Sequence, residues 1–513
     1  MIGCNKGKNK RRVVLADESI YSSQNFTDLQ IDSMAINTFF KTAPATDSIQ
    51  NEVHQFYTRR NYQFAWLNKG GLTLAVTNFY NQLQNYSRDF ADSSLNNELL
   101  DSLVMAAQTD EKNFLLQENR VRQLELLLTS TFFKYTEKAY SGTTKDPIDL
   151  EWYIPRKKKS YQVLLDSLVS ITKGEKVQEP VNQYYLLLKE KLRQYRVIQK
   201  KGGLPTVITD KKLLVVGDSN TCLVNAKQHL LLTGDLKTKD NTIYFTDSLA
   251  KAVQRFQHRM GLVENGKINT ATIAEFNKPV DFRIKQMMVN MERLRWIPVE
   301  MENEYLLINI PEFRLHIFEN KKQVWQMNVV VGKAATKTSI FKGNLSQIVL
   351  NPYWNIPTSI VKNEILPKMR RNSNYLANNN MEFVNGNYRQ KPGKDNSLGK
   401  IKFLFPNSFS IYLHDTPSKG LFGESKRAFS HGCIRVSEPR KLALYLLRKD
   451  TTWNEVKVDD ILKTDNMTEI KVRPTVPVYI AYFTAWVDNT GQLNFRNDIY
   501  NLDKNLTKEI FGD

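Results

Sequence analysis

The apolar pattern of this chain changes its period near Glu304, and this change constrains the fold more than any other feature of the sequence. Over residues 33–199, apolar side chains recur at helix-like intervals with polar residues between them. In the runs 306–318 and 323–332 apolar and polar residues follow a period of two, and residues 319–322 between them predict a hairpin turn. The sequence therefore predicts a multidomain α+β chain, with an α-helical N-terminal part and a mainly β C-terminal domain.

Length and composition limit the possible classes of protein but do not identify a function. The chain has 513 residues, enough for about three domains of usual size, and 41% of them are hydrophobic, which suffices for packed cores. The formal net charge of +19 indicates an anionic partner or surroundings. Nucleic acid, lipid headgroups and cell-wall polymers are all anionic. The basic residues are scattered and carry no zinc-finger spacing or RNA-binding signature, so a nucleic-acid binder is the weakest reading.

Breaks in composition and helix signals predict five segments. The glycines and the proline of KKGGLP end the helical part, and Pro298 ends a later helix. Within the β domain, one insertion between strands is long enough to be a functional lid. The expected segments are a flexible tether over 1–30, a helical scaffold domain over 31–205, a small helical domain over 206–280, a linker helix over 281–300, and the β domain over 301–513 with its insertion over about 359–400.

One cysteine of the β domain has the neighbours of a nucleophile. Cys433 lies in the run SHGCIR, and His414 lies about twenty residues upstream, after an alternating run over 409–413 that predicts a short strand. A thiolate nucleophile needs a base or cation that lowers its pKa, and backbone N–H groups that bind the oxyanion. Gly432 lets the backbone approach a substrate carbonyl, so the N–H groups of Gly432 and Cys433 are candidate oxyanion donors.

A histidine, a spacer of just under twenty residues and S-H-G-C-x-R together resemble the signature of the L,D-transpeptidases, whose catalytic domain is called YkuD-like. Residues 56–67 (FYTRRNYQFAWL) resemble the N-terminal region of the larger, YcbB-type members of that family. Residues 252–277 resemble a small three-helix peptidoglycan-binding domain, with Asn269 where that domain usually has a glycine. In the YcbB-type members an insertion caps the active site, so residues 359–400 are expected to do the same.

The resemblance implies a cysteine-dependent acyltransferase that acts on peptidoglycan stem peptides without a metal or cofactor. Cys433 would attack the third residue of a donor tetrapeptide stem and release the terminal D-alanine, and an amine of an acceptor stem would then attack the thioester. His414 is the expected base. Asp415 is expected to orient its imidazole, through the carboxylate or, as is common in the family, through the backbone carbonyl.

The remaining candidate residues surround the cysteine or line the groove. Arg435 suits either a substrate carboxylate or a structural clamp on the cysteine loop. His431 is either a second hydrogen-bond donor or a residue that fixes the loop, and Ser430, which precedes it in the motif, is a candidate substrate-binding residue. Tyr412 and Trp354 are candidate walls of the groove. A further departure from the family lies at Thr338, which is followed by serine where the family usually has proline.

Three other functions remain open at this point. An L,D-carboxypeptidase would form the same acyl-enzyme and resolve it with water. A protease of ordinary peptides is disfavoured, because no papain-like or caspase-like signature surrounds Cys433. A non-catalytic cell-wall-binding protein is disfavoured by the intact motif.

The beginning of the chain bears on localisation. Met-Ile-Gly-Cys followed by a polar, basic run resembles the end of a bacterial lipoprotein signal, with Cys4 as the lipidated residue, although the charged and apolar regions that precede such a cysteine are missing. The expectation is a periplasmic or cell-envelope protein that serves cell-wall organisation and cell shape, with a membrane tether through Cys4 as one alternative. The three cysteines Cys4, Cys222 and Cys433 do not form a disulfide framework.

Overall fold

The computed structural model of the chain describes residues 27–155, 160–175 and 177–512. The expected lipidation site at Cys4 and most of the predicted tether lie outside these residues. The described chain divides into two compact units. One comprises the described parts of 1–144 and 157–181, and the other those of 145–156 and 182–513. No helix in the described ranges is long and apolar enough to cross a bilayer.

The first unit is helical, as its 3.6-residue period predicts. Several of its helices begin after a residue whose side chain caps free N–H groups, such as Thr46, whose hydroxyl accepts from the N–H of Ile49. The elements are α1 (Ser33–Thr42), α2 (Asp47–Arg59), β1 (Leu67–Asn68), β2 (Gly71–Leu72), α3 (Leu74–Phe90), α4 (Glu98–Thr109), α5 (Glu111–Leu115), α6 (Glu118–Thr136), which continues as a π-helical turn over Glu137–Ser141, and α7 (Tyr161–Val169).

A buried carboxylate on α6 organises the core of this unit. Glu125 is fully buried and accepts the N–H groups of Ala65 and Trp66 at 2.5 and 3.0 Å and the hydroxyl of Tyr57 at 2.9 Å. Burial raises the pKa of Glu125 to about 7. These hydrogen bonds satisfy the loop between α2 and α3, so Glu125 has a structural role.

The second unit contains helices within residues 206–280, the bounds predicted for the small domain, and it also includes the helix Gln183–Lys200 from the predicted scaffold segment. The apolar face of α10 carries Leu249, Val253, Phe256 and Met260, all buried. Asn269 precedes α11 and accepts the N–H of Thr272 at 3.0 Å, so it replaces the usual glycine as a helix cap. The elements are a short 3-10 turn over Pro147–Leu150, β3 (Trp152–Tyr153), α8 (Gln183–Lys200), β4 (Leu213–Leu214), α9 (Cys222–Leu232), α10 (Asp247–Met260), β5 (Ile268–Asn269), α11 (Thr270–Phe276) and α12 (Val280–Trp296).

The rest of this unit is mainly β, as the period-two pattern predicts. Its strands are β6 (Glu304–Asn309), β7 (Arg314–Glu319), β8 (Lys322–Gly332), β9 (Ile340–Leu350), β10 (Trp354–Asn355), β11 (Met381–Val384), β12 (Asn387–Gln390), β13 (Ile401–Leu404), β14 (Leu413–His414), β15 (Ala428–Ser430), β16 (Ile434–Val436), β17 (Thr468–Ala481), β18 (Ala485–Val487) and β19 (Leu493–Phe495). Its helices are α13 (Thr358–Ile360), a π-helical turn over Val361–Ile365, α14 (Leu366–Arg371), α15 (Tyr375–Asn378), α16 (Pro439–Leu447), α17 (Glu455–Lys463) and α18 (Leu502–Phe511).

Strand pairing closes the main sheet on itself. The order is β13-β14-β16-β8-β7-β6-β17-β9, and β9 also pairs with β13. Alternate side chains such as Leu306, Leu315 and Val478 are fully buried on the inside of this ring. β17, although late in the chain, lies in the middle of the order, between β6 and β9. The predicted fold class is confirmed: a helical N-terminal part, a small helical domain and a β-rich domain.

The strand predicted over 409–413 is wrong for most of its length. Only Leu413 and His414 are in a strand, and Ser410 has a φ of +55°, which no regular strand contains. The side chain of Asn407 explains this shape, because its amide oxygen accepts the N–H groups of Phe409 and Ile411 at 3.0 and 3.2 Å. The residues before His414 therefore form an irregular turn.

Candidate active site

Cys433 lies on a short loop between β15 and β16, and side chains from another loop fix its backbone. Gly432 has a φ of +117°, a value that side chains with a Cβ rarely adopt. The hydroxyl of Thr338 donates to the carbonyl of Gly432 at 2.8 Å and accepts the N–H of Gly332 at 2.9 Å. Ser430 donates to the carbonyl of Cys433 at 2.6 Å. The cysteine is thereby presented in one backbone conformation.

The two N–H groups predicted to bind the oxyanion differ in whether they already form a hydrogen bond. The N–H of Gly432 donates to the hydroxyl of Ser430 at 3.1 Å, so it is occupied. Among the described residues, no acceptor takes the N–H of Cys433. Ser430, predicted as a substrate-binding residue, here stabilises the loop, because its hydroxyl accepts the N–H of Gly432 and donates to the carbonyl of Cys433. An oxyanion would find the N–H of Cys433 available, and that of Gly432 only after Ser430 releases it.

The thiol of Cys433 is half-buried and hydrogen-bonded to the turn before β14. Its Sγ donates to the carbonyl of Ser410 at 3.6 Å, and Tyr412 contributes further hydrogen bonds. Burial raises the pKa of the thiol, while the hydrogen bonds of Tyr412 and the cations Lys402 and Arg435 act in the opposite direction. At neutral pH the cysteine without substrate is therefore a thiol, and it needs a base in order to react.

His414 has the geometry of a neutral base. Its ring is 5% exposed, and Nδ1 lies 2.5 Å from the backbone carbonyl of Asp415. A carbonyl can only accept, so Nδ1 carries the proton and Nε2 presents a lone pair. Burial and the nearby cations Arg435 and Lys402 lower the pKa of His414 to about 3. The imidazole is therefore neutral throughout the physiological pH range.

The backbone of Asp415 orients the imidazole, and its carboxylate has another role. The carboxylate accepts the N–H of Lys400 at 2.9 Å and the N–H of Thr416 at 2.7 Å, and it pairs with the ammonium of Lys419. A Cβ on Gly399 would lie 2.4 Å from the carboxyl carbon, so the approach of the two segments requires glycine. Of the two predicted possibilities, the carbonyl makes the contact with His414.

Three basic side chains stand in a row across adjacent strands beside the cysteine. Lys402 on β13 pairs with His414 on β14, which pairs with Arg435 on β16. The ammonium of Lys402 lies 4.1 Å from the centre of the Tyr412 ring, and the rings of Tyr412 and His414 are 5.6 Å apart. The Nε of Arg435 is buried without a hydrogen-bond partner among the described residues. No local sequence signal marks Lys402, because its position beside the cysteine follows only from the strand register.

The insertion over 359–400 contacts the cysteine loop. Nε2 of His431 lies 2.9 Å from a carboxylate oxygen of Glu364, on the π-helical turn; His431 is exposed and Glu364 is half-buried. Trp354 forms a hydrogen bond with Tyr412, and its strand β10 pairs with β12 of the insertion. His431 is thus joined to the insertion, which agrees with a role in fixing this loop. Within the described ranges, no group of three or more His, Cys, Asp or Glu side chains is arranged to hold a metal ion.

Three family models match separate parts of the chain. Residues 303–459 match the L,D-transpeptidase catalytic domain, residues 51–192 match a scaffold domain, and residues 224–275 match the family described as "Putative peptidoglycan binding domain". These matches confirm the family that the motif predicted, and the first of them contains both His414 and Cys433.

A curated relative and two solved structures are similar to parts of the chain. The chain is 33% identical over 243 residues to a protein of Haemophilus influenzae named "Putative L,D-transpeptidase", an alignment that covers 43% of this chain and 49% of that protein. The chain thus spans about half the length of the curated relative it matches.

The structure of an L,D-transpeptidase from Mycobacterium smegmatis is 13% identical, covers 35% of this chain and 58% of its own, and has a TM-score of 0.20. That of an L,D-transpeptidase from Stackebrandtia nassauensis is 12% identical, covers 54% of this chain and 96% of its own, and has a TM-score of 0.22. Similarities this low carry no argument about this chain.

Proposed function

We propose that this chain, which carries an L,D-transpeptidase catalytic domain, crosslinks peptidoglycan stem peptides through a thioester on Cys433. The observation that carries the proposal is the pairing of a neutral, oriented imidazole at His414 with a cysteine on the adjacent, backbone-fixed loop. A buried histidine whose pKa is about 3 is a poor ion-pair partner for a thiolate, but its Nε2 is free to accept a thiol proton.

The proposed reaction has two acyl-transfer steps. The Sγ of Cys433 attacks the carbonyl of the third residue of a donor tetrapeptide while its proton passes to Nε2 of His414. The tetrahedral intermediate collapses, the bond to the terminal D-alanine breaks, and His414 returns the proton to the departing amine. An amine of an acceptor stem then attacks the thioester, loses its proton to His414 and displaces the thiol, which regenerates Cys433.

Charge at the site supports a substrate with a carboxylate near the scissile bond. The two cations Lys402 and Arg435 stand on either side of the neutral His414, and the buried Nε of Arg435 has no partner among the described residues. A loop clamp would be expected to hydrogen-bond the loop, so Arg435 is better explained as a donor to a substrate carboxylate. The terminal D-alanine supplies a carboxylate, and its departure removes that charge from the site.

The oxyanion in this proposal is held first by the N–H of Cys433. The N–H of Gly432 joins it when Ser430 rotates away, and one such donor contributes about 2.7–4 kcal/mol in the transition state. Tyr412, hydrogen-bonded to both the thiol and Trp354, forms a wall of the groove. The insertion, joined to the loop through Glu364 and His431, acts as the lid.

The other parts of the chain fit an envelope protein. We propose that the helical segment over 31–205 is a scaffold, that 206–280 binds the wall, and that 301–513 performs the chemistry in the periplasm or cell envelope. The lipidated tether at Cys4 belongs to the same proposal.

The experiment that tests the function is mass spectrometry of products formed from disaccharide tetrapeptides by the purified protein, with Cys433→Ala as the control. Dimers crosslinked between two third-position residues, formed only with Cys433 present, are the expected result. Tripeptide alone, still dependent on Cys433, would instead make the protein an L,D-carboxypeptidase. Absence of both products would leave a wall-binding protein.

A further inference from the structure

A second cavity, apart from the cysteine, lies on the outer face of the closed sheet. Its volume is about 720 Å³, within the usual range for sites that take small ligands. Its floor consists of paired residues of β6 and β7, with Tyr305 opposite Phe318, Leu307 opposite His316 and Asn309 opposite Arg314. The walls are α10 and the hairpin of β18 and β19. The catalytic candidates lie on β13, β14 and β16, so the cavity is formed by different strands.

Most charged groups that line this cavity already have partners. Glu312 accepts from Nε2 of His316 at 2.8 Å, and His258 pairs with Glu264 at 2.8 Å. Arg255 donates to the carbonyl of Asp235 at 2.7 and 2.9 Å. Each of these groups is therefore part of the wall and needs no ligand.

Arg314 differs from these groups in its ion pairing. It is half-buried on the cavity floor, and among the described residues no carboxylate forms an ion pair with its guanidinium. Lys251, exposed on α10 at the cavity, likewise has no ion pair in the described part of the chain. Both cations lie beside the cavity, and the carboxylates that also line it are those of Glu264, Glu312 and Asp488.

The surroundings of Arg314 hold an excess of positive charge. Glu312 is the carboxylate among His316, Arg314 and Arg496, and burial alone would raise its pKa. Its interaction and hydrogen bond with His316, together with the attraction of Arg496 and Arg314, instead lower the pKa of Glu312 to about 2. Burial together with repulsion from Arg314 and Arg496 lowers the pKa of Arg427 to about 10. Four lysine and arginine side chains line the cavity (Lys251, Arg255, Arg314 and Arg496) against three carboxylates (Glu264, Glu312 and Asp488), so an added anion would be attracted.

We propose that this cavity binds a short acidic peptide, with a carboxylate of the peptide held by Arg314 and Lys251. Guanidinium groups bind carboxylates in a two-pronged fashion, which favours a carboxylate over a neutral sugar. Side-chain amides of Gln323 and Gln326 line the same cavity, where they would meet peptide N–H and C=O groups, and Trp486 offers an apolar wall. The identification of the peptide as a peptidoglycan stem rests on the proposed function. The inference that the ligand is an acidic peptide rests on the cavity alone.

The test is calorimetric titration of the full chain carrying Cys433→Ala, which prevents turnover. The probes are the tripeptide L-Ala–γ-D-Glu–L-Lys acetylated at both amines, which leaves its two carboxylates as the charged groups, the same peptide amidated at both carboxylates, and chitotriose. A tripeptide is also a product of the proposed reaction, so the cysteine site contributes a background that substitutions at the cavity do not change.

The expected result is that Arg314→Gln weakens one binding event at least tenfold, and that Arg314→Lys weakens it less than threefold. The matched control is Lys471→Gln, an exposed charge on β17 outside the cavity, which should leave binding within twofold. If Arg314→Gln fails to keep the parent melting temperature, Lys251→Glu on the surface replaces it, with at least threefold weaker binding expected.

Equal binding by Arg314→Gln and the parent, equal binding of the acidic and amidated peptides, or binding of chitotriose alone would overturn the proposal. The two proposals fail separately. Product formation by the wild-type protein tests the cysteine, whereas the change in binding that substitutions at the cavity cause, measured without a nucleophile, tests the cavity.

Discussion

Replacing Thr338 by valine tests whether one hydroxyl holds the cysteine loop in place. Thr338 is 2% exposed, and its hydroxyl is the partner of both the Gly332 N–H and the Gly432 carbonyl. Valine keeps the shape of the side chain and removes both hydrogen bonds. A buried backbone group without a partner costs about 1–3 kcal/mol, so two cost at least about 2 kcal/mol. That corresponds to an opening of the loop that is about 30-fold more frequent.

Thr336→Val is the matched control for this change. The hydroxyl of Thr336 donates to the carbonyl of Ser430 at 3.0 Å, but the N–H of Lys333 donates to the same carbonyl at 3.1 Å. Ser430 therefore keeps a partner, and Thr336 is also partly exposed to water. The expected cost of this variant is below about 1 kcal/mol.

Hydrogen exchange of the peptide that contains residues 430–436, together with the turnover number, measures the difference. We expect Thr338→Val to exchange about 30-fold faster there and to lose about 10- to 100-fold in turnover, because the nucleophile is no longer held in position. Thr336→Val should stay within about threefold of the wild type in both. Identical behaviour of the two variants would refute the reasoning that Thr338 fixes the loop.

Three further predictions concern the cations and the base. Between pH 6.5 and 3 the unfolded chain protonates His414 and the folded chain does not. The free energy of unfolding therefore falls by about 1.4 kcal/mol for each pH unit by which the pH is lowered in this range. Urea unfolding at pH 6 and 4.5 should show a larger loss of stability for the wild type than for His414→Gln. Lys402→Met should raise the pKa for alkylation of Cys433 by iodoacetamide, and Lys402→Arg should restore it; an unchanged pH profile in Lys402→Met would exclude this role. Arg435→Gln should raise KM at least tenfold for a tetrapeptide with a free C-terminal carboxylate and much less for its C-terminal amide; equal losses with both would favour the structural clamp.

The sequence was sufficient to predict the parts of the site that are local in the chain. The spacing of His414 and Cys433 predicted the family, and the left-handed backbone of Gly432 agrees with the reason given for a glycine there. The period change near Glu304 predicted the β-rich part correctly. In each case the pattern that allowed the prediction lies in residues that are close together in the sequence.

Contacts between distant segments could not be predicted in this way. Lys402 stands beside His414 only because β13 and β14 pair in one particular register. Because serine follows Thr338, the sequence did not show whether that turn is rigid. In the structure the hydroxyl of Tyr500 holds the turn: it donates to the carbonyl of Gly332 and accepts the N–H of Thr338, 162 positions away in the chain. The wrong strand over 409–413 has a similar cause, because an asparagine side chain overrides an alternating pattern.

Rapid-quench mass spectrometry of the protein mixed with a tetrapeptide stem tests the central claim most directly. A covalent thioester mechanism predicts a transient adduct with the mass of the acyl donor less D-alanine, located by digestion on the peptide that contains Cys433. The adduct should be absent from Cys433→Ala, and addition of an acceptor stem should shorten its lifetime. Product formation without any adduct on Cys433, or an adduct that persists in Cys433→Ala, would contradict the account.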